Sequence, residues 1–340
     1  MINPKFKLFN IIPWVLCGIL QMLNGTALAQ NKVVNFSSLT IDNGLSQSDV
    51  KCVLKDHIGF MWFATDDGLN KYDGYTFTIY RHITGDSNSL PSNGITAAFE
   101  DKTGNLWIGT NGGLSLYNRD KDNFTTFSAS KKNDNTLSNN DVNTIFQDKD
   151  NNIWIGTYSG LDLLNIKTKT ITRFFYTQNR DDLPEHHIFS IAQDNDGNLW
   201  LGTGKGLVEF NYKTGDSKNF DNNDIAGLSD NPVNMLLTSA DNLYIGSAGN
   251  GLYRLNLTDH SFANFKHQQK DAWSIANNNV FALALYINHK IWVGTEDGLD
   301  LFDENDAKFT HYINDDKLNI DQNNSIGSIF SSNGPTRWRS

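Results

Sequence analysis

Five octets decide the reading of this chain: Trp62–Leu69 (WFATDDGL), Trp107–Leu114 (WIGTNGGL), Trp154–Leu161 (WIGTYSGL), Trp200–Leu207 (WLGTGKGL) and Trp292–Leu299 (WVGTEDGL). Tyr244 opens a sixth copy, YIGSAGNGL, one residue longer. Successive copies are spaced 45, 47, 46, 44 and 48 residues, the period of β-propeller blades rather than of helical or leucine-rich repeats. A second landmark precedes each octet, a Leu or Ile followed five positions later by a β-branched residue. The pairs are Leu45 with Val50, Leu90 with Ile95, Leu137 with Val142, Leu183 with Ile188, Leu228 with Val233 and Ile275 with Val280. The first member stands 17 positions before the repeat aromatic, 16 in the Tyr244 unit. So constant an offset implies a fixed hairpin.

Period-two alternation and turn residues divide each unit into four strands. In the third unit these fall at Val142 to Gln147, Ile153 to Thr157, Leu161 to Asn165 and Ile171 to Phe175. Gly109, Gly156, Gly202, Gly246 and Gly294 lie mid-strand, with Ala64 in the first unit. A missing side chain there marks close approach of a neighbour, and the expected neighbour is the adjacent blade, with the repeat Trp as the apolar partner. Beyond the sixth unit, Ile320, Ile326, Ile329 and Phe330 repeat the lead-in, and Trp338 stands 46 residues after Trp292. At the other end Val34 to Leu39 (VNFSSL) reads as an orphan outer strand that would complete the last blade. The expected fold is therefore all-β: a propeller of four-stranded antiparallel blades, six complete and a seventh incomplete, over residues 30–340, with the chain ending inside blade seven.

Composition agrees. The 340 residues include 44 Asn, 33 Asp and 27 Gly but only 5 Glu, a vocabulary of tight turns rather than long helices. With 39% hydrophobic residues the chain can bury a core, which excludes intrinsic disorder. A formal net charge of −10 leaves no basic stripe for phosphates and excludes nucleic acid as the main partner. Lys5 and Lys7, the apolar run Leu8 to Leu23 and Ala27-Leu28-Ala29 have the form of a secretory signal peptide, residues 1–29. Cleavage would carry Cys17 away and leave an exported, periplasmic domain with no membrane insertion. Cys52 would then be the single cysteine, in the apolar alternation Val50-Cys52-Leu54, where a small buried hydrophobe is expected.

The run from Leu45 (LSQSDVKCVLKDHIGFMWFATDDGLNKYDGYTF) and the recurring WIGTxxGL resemble the two-component regulator propeller repeat of hybrid two-component sensors in Bacteroidetes. The resemblance covers residues 34 to 338. It implies the N-terminal periplasmic input propeller of a sensor that responds to carbohydrate, followed in the family by a second propeller, an immunoglobulin-like domain, a transmembrane helix and a histidine kinase, none of which is expected in this chain. It also implies as partners an oligosaccharide and a second propeller or like sensor chain, as in a homodimer.

No constellation points to catalysis, a cofactor or a metal. His186-His187 lies where other units carry Asn93, Asn140 and Asn231, without a third ligand at metal spacing. The acidic pairs Asp66-Asp67 and Glu296-Asp297 occupy equivalent turns in which Asn111-Gly112 and Tyr158-Ser159 also occur. Asp101, six residues before Trp107, belongs to a structural turn, and the glycines around Lys205 lack the strand-to-helix context of a phosphate loop. A ligand would meet the face where the turn between second and third strands and the loop into the next blade emerge together. The residues that vary there are Asp66, Asp67, Asn111, Tyr158, Lys205, Asn250, Glu296 and Asp297 in the turns, and Asn93, Asn140, His186 and Asn278 in the loops. Amides, carboxylates and an aromatic platform at Tyr158 suit a hydroxyl-rich sugar. An exposed turn with no ligand is the plainer reading of each residue. A propeller lyase or glycoside hydrolase, or a purely structural interaction module, remain alternatives at this point.

Overall fold

A computed structural model describes residues 32–34, 38–175, 187–220, 224–225, 227–228, 231–314 and 325–330. The expected leader, residues 176–186 with His186, and Trp338 lie outside them.

Six four-stranded antiparallel blades make up the fold. After β1 (Lys32–Val34), the first blade is β2 (Val50–Lys55), β3 (Met61–Thr65), β4 (Gly68–Tyr72) and β5 (Phe77–Tyr80). The second is β6 (Ile95–Glu100), β7 (Leu106–Thr110), β8 (Gly113–Asn118) and β9 (Asn123–Phe127). The third is β10 (Val142–Gln147), β11 (Ile153–Thr157), β12 (Gly160–Asn165) and β13 (Thr170–Phe174), within a residue of the sequence reading. The fourth is β14 (Ile188–Gln193), β15 (Leu199–Thr203), β16 (Gly206–Asn211) and β17 (Asp216–Phe220). The fifth is β18 (Val233–Ser239), β19 (Asn242–Ser247), β20 (Leu252–Asn256) and β21 (Phe262–Phe265). The sixth is β22 (Val280–Tyr286), β23 (Lys290–Thr295), β24 (Gly298–Asp303) and β25 (Lys308–Asn314). Inner strands β2, β6, β10, β14, β18 and β22 pack against one another in that order.

Between β22 and β2 runs Ser325–Phe330, without a ladder of its own. The Ile326 N–H donates to the Thr295 carbonyl at 2.9 Å, and the Val53 N–H donates to the Ser328 hydroxyl at 3.2 Å. Ile326 thus holds the place that Val280 holds one blade earlier. This segment is all that the described residues show of the expected seventh blade.

The mid-strand glycines face the next blade, as the period implied, but their partner is not the repeat Trp. A Cβ on Gly109 would stand 2.8 Å from Val142 Cγ1, on Gly156 2.7 Å from Ile188 Cγ2, on Gly246 2.7 Å from Val280 Cγ1 and on Gly294 2.6 Å from the Ile326 carbonyl. The contact is therefore with the β-branched residue that opens the following inner strand. The Trp indole reaches outward instead: Trp62 meets Tyr117 and Trp154 meets Tyr212 of the next blade, each at 5.1 Å between ring centroids. Trp62, Trp107, Trp154, Trp200 and Tyr244 are buried. Trp292 is only half-buried, and its ring neighbours, Tyr286 and Tyr312, belong to its own blade.

Of the expected orphan outer strand, Val34 to Leu39, residues 35–37 lie outside the described residues, and the strand described at this end is β1. The strand spans Lys32–Val34, and it runs parallel to β25, with Lys32 opposite Tyr312 and Val34 opposite Asn314. An outermost strand offers an unpaired row of N–H and C=O groups, and β1 satisfies that row on the sixth blade. Cys52 is half-buried in the cluster around Trp62, and burial pushes its thiol pKa up, as befits a packing residue.

Candidate ligand-binding face

The two ends of the blades differ in what they leave available. At the end carrying the first hairpin of each blade, the first four blades have an Asp six residues before the Trp, consumed by its own turn. The Asp56 carboxylate accepts from the Ile58, Gly59 and Phe60 N–H groups and from Trp62 Nε1 at 2.9 Å. Asp101, Asp148 and Asp194 take the same indole bond from Trp107, Trp154 and Trp200 at 2.8–2.9 Å. Next to it, the His57, Lys102 and Lys149 N–H groups each donate at 2.8 Å to Glu100, Gln147 and Gln193 of the following blade. These carboxylates and amides lock turns and blades together, the structural role assigned to Asp101 from sequence.

At the opposite end the Thr of each octet builds the turn. Thr110 Oγ1 donates to the Gly113 carbonyl at 2.9 Å and accepts the Gly112 N–H at 3.0 Å; Thr65, Thr157, Thr203, Thr295 and Ser247 donate in the same way. The glycine that follows takes a left-handed conformation, φ 113° at Gly68 and 136° at Gly113, open to residues without a Cβ. Each turn bonds to a loop that leads into an inner strand: Gly68 N–H to Asn93 O, Tyr158 N–H to Asp141 O, Glu296 N–H to Asn279 O, at 2.9–3.1 Å. Turns and loops thus form one continuous face, as read from sequence.

The candidate side chains on that face divide. Asn93, Asn140 and Asn278 spend their amide oxygens on the backbone, accepting the His82, Ala129 and His267 N–H groups at 2.7–2.8 Å. With these oxygens they hold the loops. Asn250 donates to the Gly227 carbonyl at 2.7 Å and accepts from Lys266 at 2.9 Å. Asp67 is paired with Arg81 at 3.1 and 2.9 Å, a hydrogen-bonded pairing that holds its carboxyl below the ordinary range. Asp66 stays exposed, 3.6 Å from Lys51. Glu296 accepts from Asn279 at 2.6 Å and Asp297 from Asn277 at 2.8 Å. Asn111 and Lys205 lie exposed in their expected turns.

Tyr158 is 38% exposed and stacks on His187 with ring centroids 3.7 Å apart at 28°. His187 meets Phe189 edge-on at 6.2 Å. Sequence reading found Tyr158 but missed its two companions, because they precede and open the next inner strand. Among the described residues no group of three or more His, Cys, Asp or Glu side chains could hold a metal.

A second feature was not anticipated. The residue directly after each octet, in the third strand, lies opposite a residue of the outer strand: Asn70 and Ile79, Ser115 and Thr126, Asp162 and Arg173, Val208 and Asn219, Tyr253 and Asn264, Asp300 and His311. In the sixth blade this pair lines a cleft of about 280 Å³ with Ala276, Asp297, Gly298, Leu299 and Tyr312. The Asp300 carboxylate accepts from His311 Nδ1 at 2.6 Å and from the Ala276 N–H at 2.8 Å. Its hydrogen bond holds the imidazole above its usual pKa against the opposing effect of burial.

Comparison with known proteins places this architecture. The sequence pattern of the family described as two component regulator propeller matches residues 89–112, 136–159 and 182–205, each a lead-in with the first six residues of its octet. A histidine kinase of Formosa agariphila is 52% identical over 62 residues, 18% of this chain and 4% of that protein. The extracellular domain of a hybrid two-component system of B. thetaiotaomicron superposes with TM-score 0.70 at 25% identity, over 86% of this chain and 38% of that one. That of a one-component system from the same organism superposes with TM-score 0.64 at 25% identity, over 83% and 36%. The chain therefore spans less than two-fifths of the solved chains it resembles.

Proposed function

From the premise that this chain is built of two-component regulator propeller repeats, we propose that it is a periplasmic sensor propeller that takes up an oligosaccharide on the turn face. The observation that supports the reading most is the shelf of Tyr158 and Phe189 bridged by His187, with the turns of Asn111 and Lys205 in the blades on either side. A sugar offers an apolar ring face to such a shelf and hydroxyls to the acceptors around it. Signalling follows if the ligand binds two arrangements of the sensor unequally, for example a propeller alone and one engaged with a second propeller or a second copy of the sensor.

The test is a panel of oligosaccharides screened by thermal shift and then by calorimetry. A hit is expected to raise the melting temperature and to bind without turnover, and Tyr158→Ala is expected to weaken it about tenfold or more. Release of shortened or unsaturated sugar products would replace this reading with an enzymatic one. Undiminished affinity in Tyr158→Ala would remove the shelf from the site.

A further inference from the structure

Among the described residues asparagine is followed by glycine at Asn43, Asn93, Asn111 and Asn250; Asn24 and Asn333, each also followed by glycine, lie outside them. A glycine on the carboxyl side leaves the next backbone nitrogen without a neighbouring Cβ, free to reach back to the asparagine side chain. The four pairs are alike in sequence, and the fold separates them.

Three of the four side chains are tied down. Asn43 Oδ1 accepts the Thr40 N–H at 2.8 Å, and the Gly44 N–H donates to the Ile41 carbonyl at 3.0 Å. Asn93 Oδ1 accepts the His82 N–H at 2.7 Å. Asn250 is held at both ends of its amide, donating to the Gly227 carbonyl at 2.7 Å and accepting from Lys266 at 2.9 Å, while the Gly251 N–H donates to the Asn278 carbonyl at 2.8 Å. In each of these the amide carbon can be attacked only after a bond that fixes its rotamer is broken.

Asn111 differs. It is exposed in the turn between β7 and β8. Its backbone N–H donates to the Gly94 carbonyl at 3.1 Å, but its side-chain amide makes no hydrogen bond among the described residues. It rests over Gly94, where a Cβ would stand 2.6 Å from Nδ2. The Gly112 N–H donates to Thr110 Oγ1 at 3.0 Å, within the same turn, and a second glycine follows it. The counterpart in the first blade is Asp66, exposed in the equivalent turn, so the backbone accepts a carboxylate at this position.

We infer that Asn111 is a site of spontaneous deamidation in the folded chain, the first of the four to react. The Gly112 nitrogen bonds to Asn111 Cγ, and its proton leaves with the side-chain NH2 as ammonia. Water then opens the cyclic imide at either carbonyl, returns a proton to the nitrogen and leaves aspartate or isoaspartate. Water is the only co-reactant. The product gives the second blade an acidic turn like those of the first and sixth, one blade from Tyr158. The inference does not depend on the saccharide reading of the Tyr158 shelf.

The test is incubation of the folded full chain in mildly alkaline buffer made with heavy-oxygen water, followed by proteolysis and mass mapping of the four sites over time. Uptake of heavy oxygen marks acid formed by hydrolysis of the imide. Asn111 is expected to convert about fivefold faster or more than Asn43, Asn93 or Asn250, since each of those must first lose a side-chain bond. In chain unfolded by urea the four rates are expected to converge, because the fold no longer separates them. Asn111→Gln, whose longer side chain closes such a ring far more slowly, is expected to lose the product at this turn. Conversion of Asn43, Asn93 or Asn250 at an equal or higher rate, an undiminished lead of Asn111 in the unfolded chain, or an intact Asn111 after the unfolded chain has reacted would overturn the inference. So would undiminished acid product at the turn in Asn111→Gln.

Discussion

Asp162 shows most sharply how one residue acts in different blades. It is fully buried, its Oδ2 accepts from the Ser138 N–H and hydroxyl at 2.8 and 3.0 Å, and its Oδ1 has no hydrogen-bond partner among the described residues. The first blade puts Asn70 at this position. There the side-chain oxygen accepts the Ser46 N–H at 2.9 Å, while the amide nitrogen donates to the Gly68 and Phe63 carbonyls at 3.2 and 3.3 Å. A carboxyl in the same place faces acceptors with Oδ1 and is best accommodated with a proton on it. Burial pushes its pKa from 3.8 up to about 7. The folded chain therefore keeps a proton that the unfolded chain has released, and stability falls as pH rises from about 4 to about 7 through this group. Asp162→Asn is expected to abolish that slope, raising stability at pH 8 by ~1–3 kcal/mol and leaving it unchanged at pH 4. Denaturant midpoints at both pH values check this. A loss of stability at pH 8 would mean that the native carboxylate is charged and compensated.

At the scale of the strand, the mid-strand glycines and the β-branched residues that follow them form one joint repeated around the ring. Gly156 shows its tightness: a Cβ would stand 2.6 Å from Thr144 Cγ2 and 2.7 Å from Ile188 Cγ2. The first blade tolerates Ala64 at this joint, buried beside Ile95, so one methyl group can be absorbed by a small shift. Gly156→Val cannot be, and it is expected to cost ~2–3 kcal/mol, with Gly156→Ala costing less. Equal unfolding midpoints for Gly156→Val and the parent would contradict the joint. This joint was legible in the sequence down to its position, because a constant period leaves a constant gap. Its partner was not, because period alone does not tell which side chain of the next blade arrives. The loop asparagines taught the same lesson. Asn93, Asn140 and Asn278 look like exposed polar residues in a string of letters, and only the folded backbone shows their amides already engaged. The pairing of β1 with β25, some 280 residues apart in the chain, was illegible for a further reason: no local pattern encodes it.

For the molecule as a whole, the two ends of the blades have opposite roles. One end closes its carboxylates on indoles and neighbouring blades, which fixes the ring. The other leaves the middle of each turn to vary, from Asp-Asp through Tyr-Ser to Glu-Asp, on a backbone held constant by Thr and Gly. Function is expected where scaffold and variation separate in this way. Hydrogen exchange of the full chain, with and without a saturating oligosaccharide found in the screen, tests this division most directly. The account predicts added protection at the turns around Tyr158 and the loop into β14, and none at the hairpins spanning Asp56 to Phe60, Asp101 to Asn105 and Asp148 to Asn152. Protection confined to those hairpins, with the turn face unchanged, would contradict it.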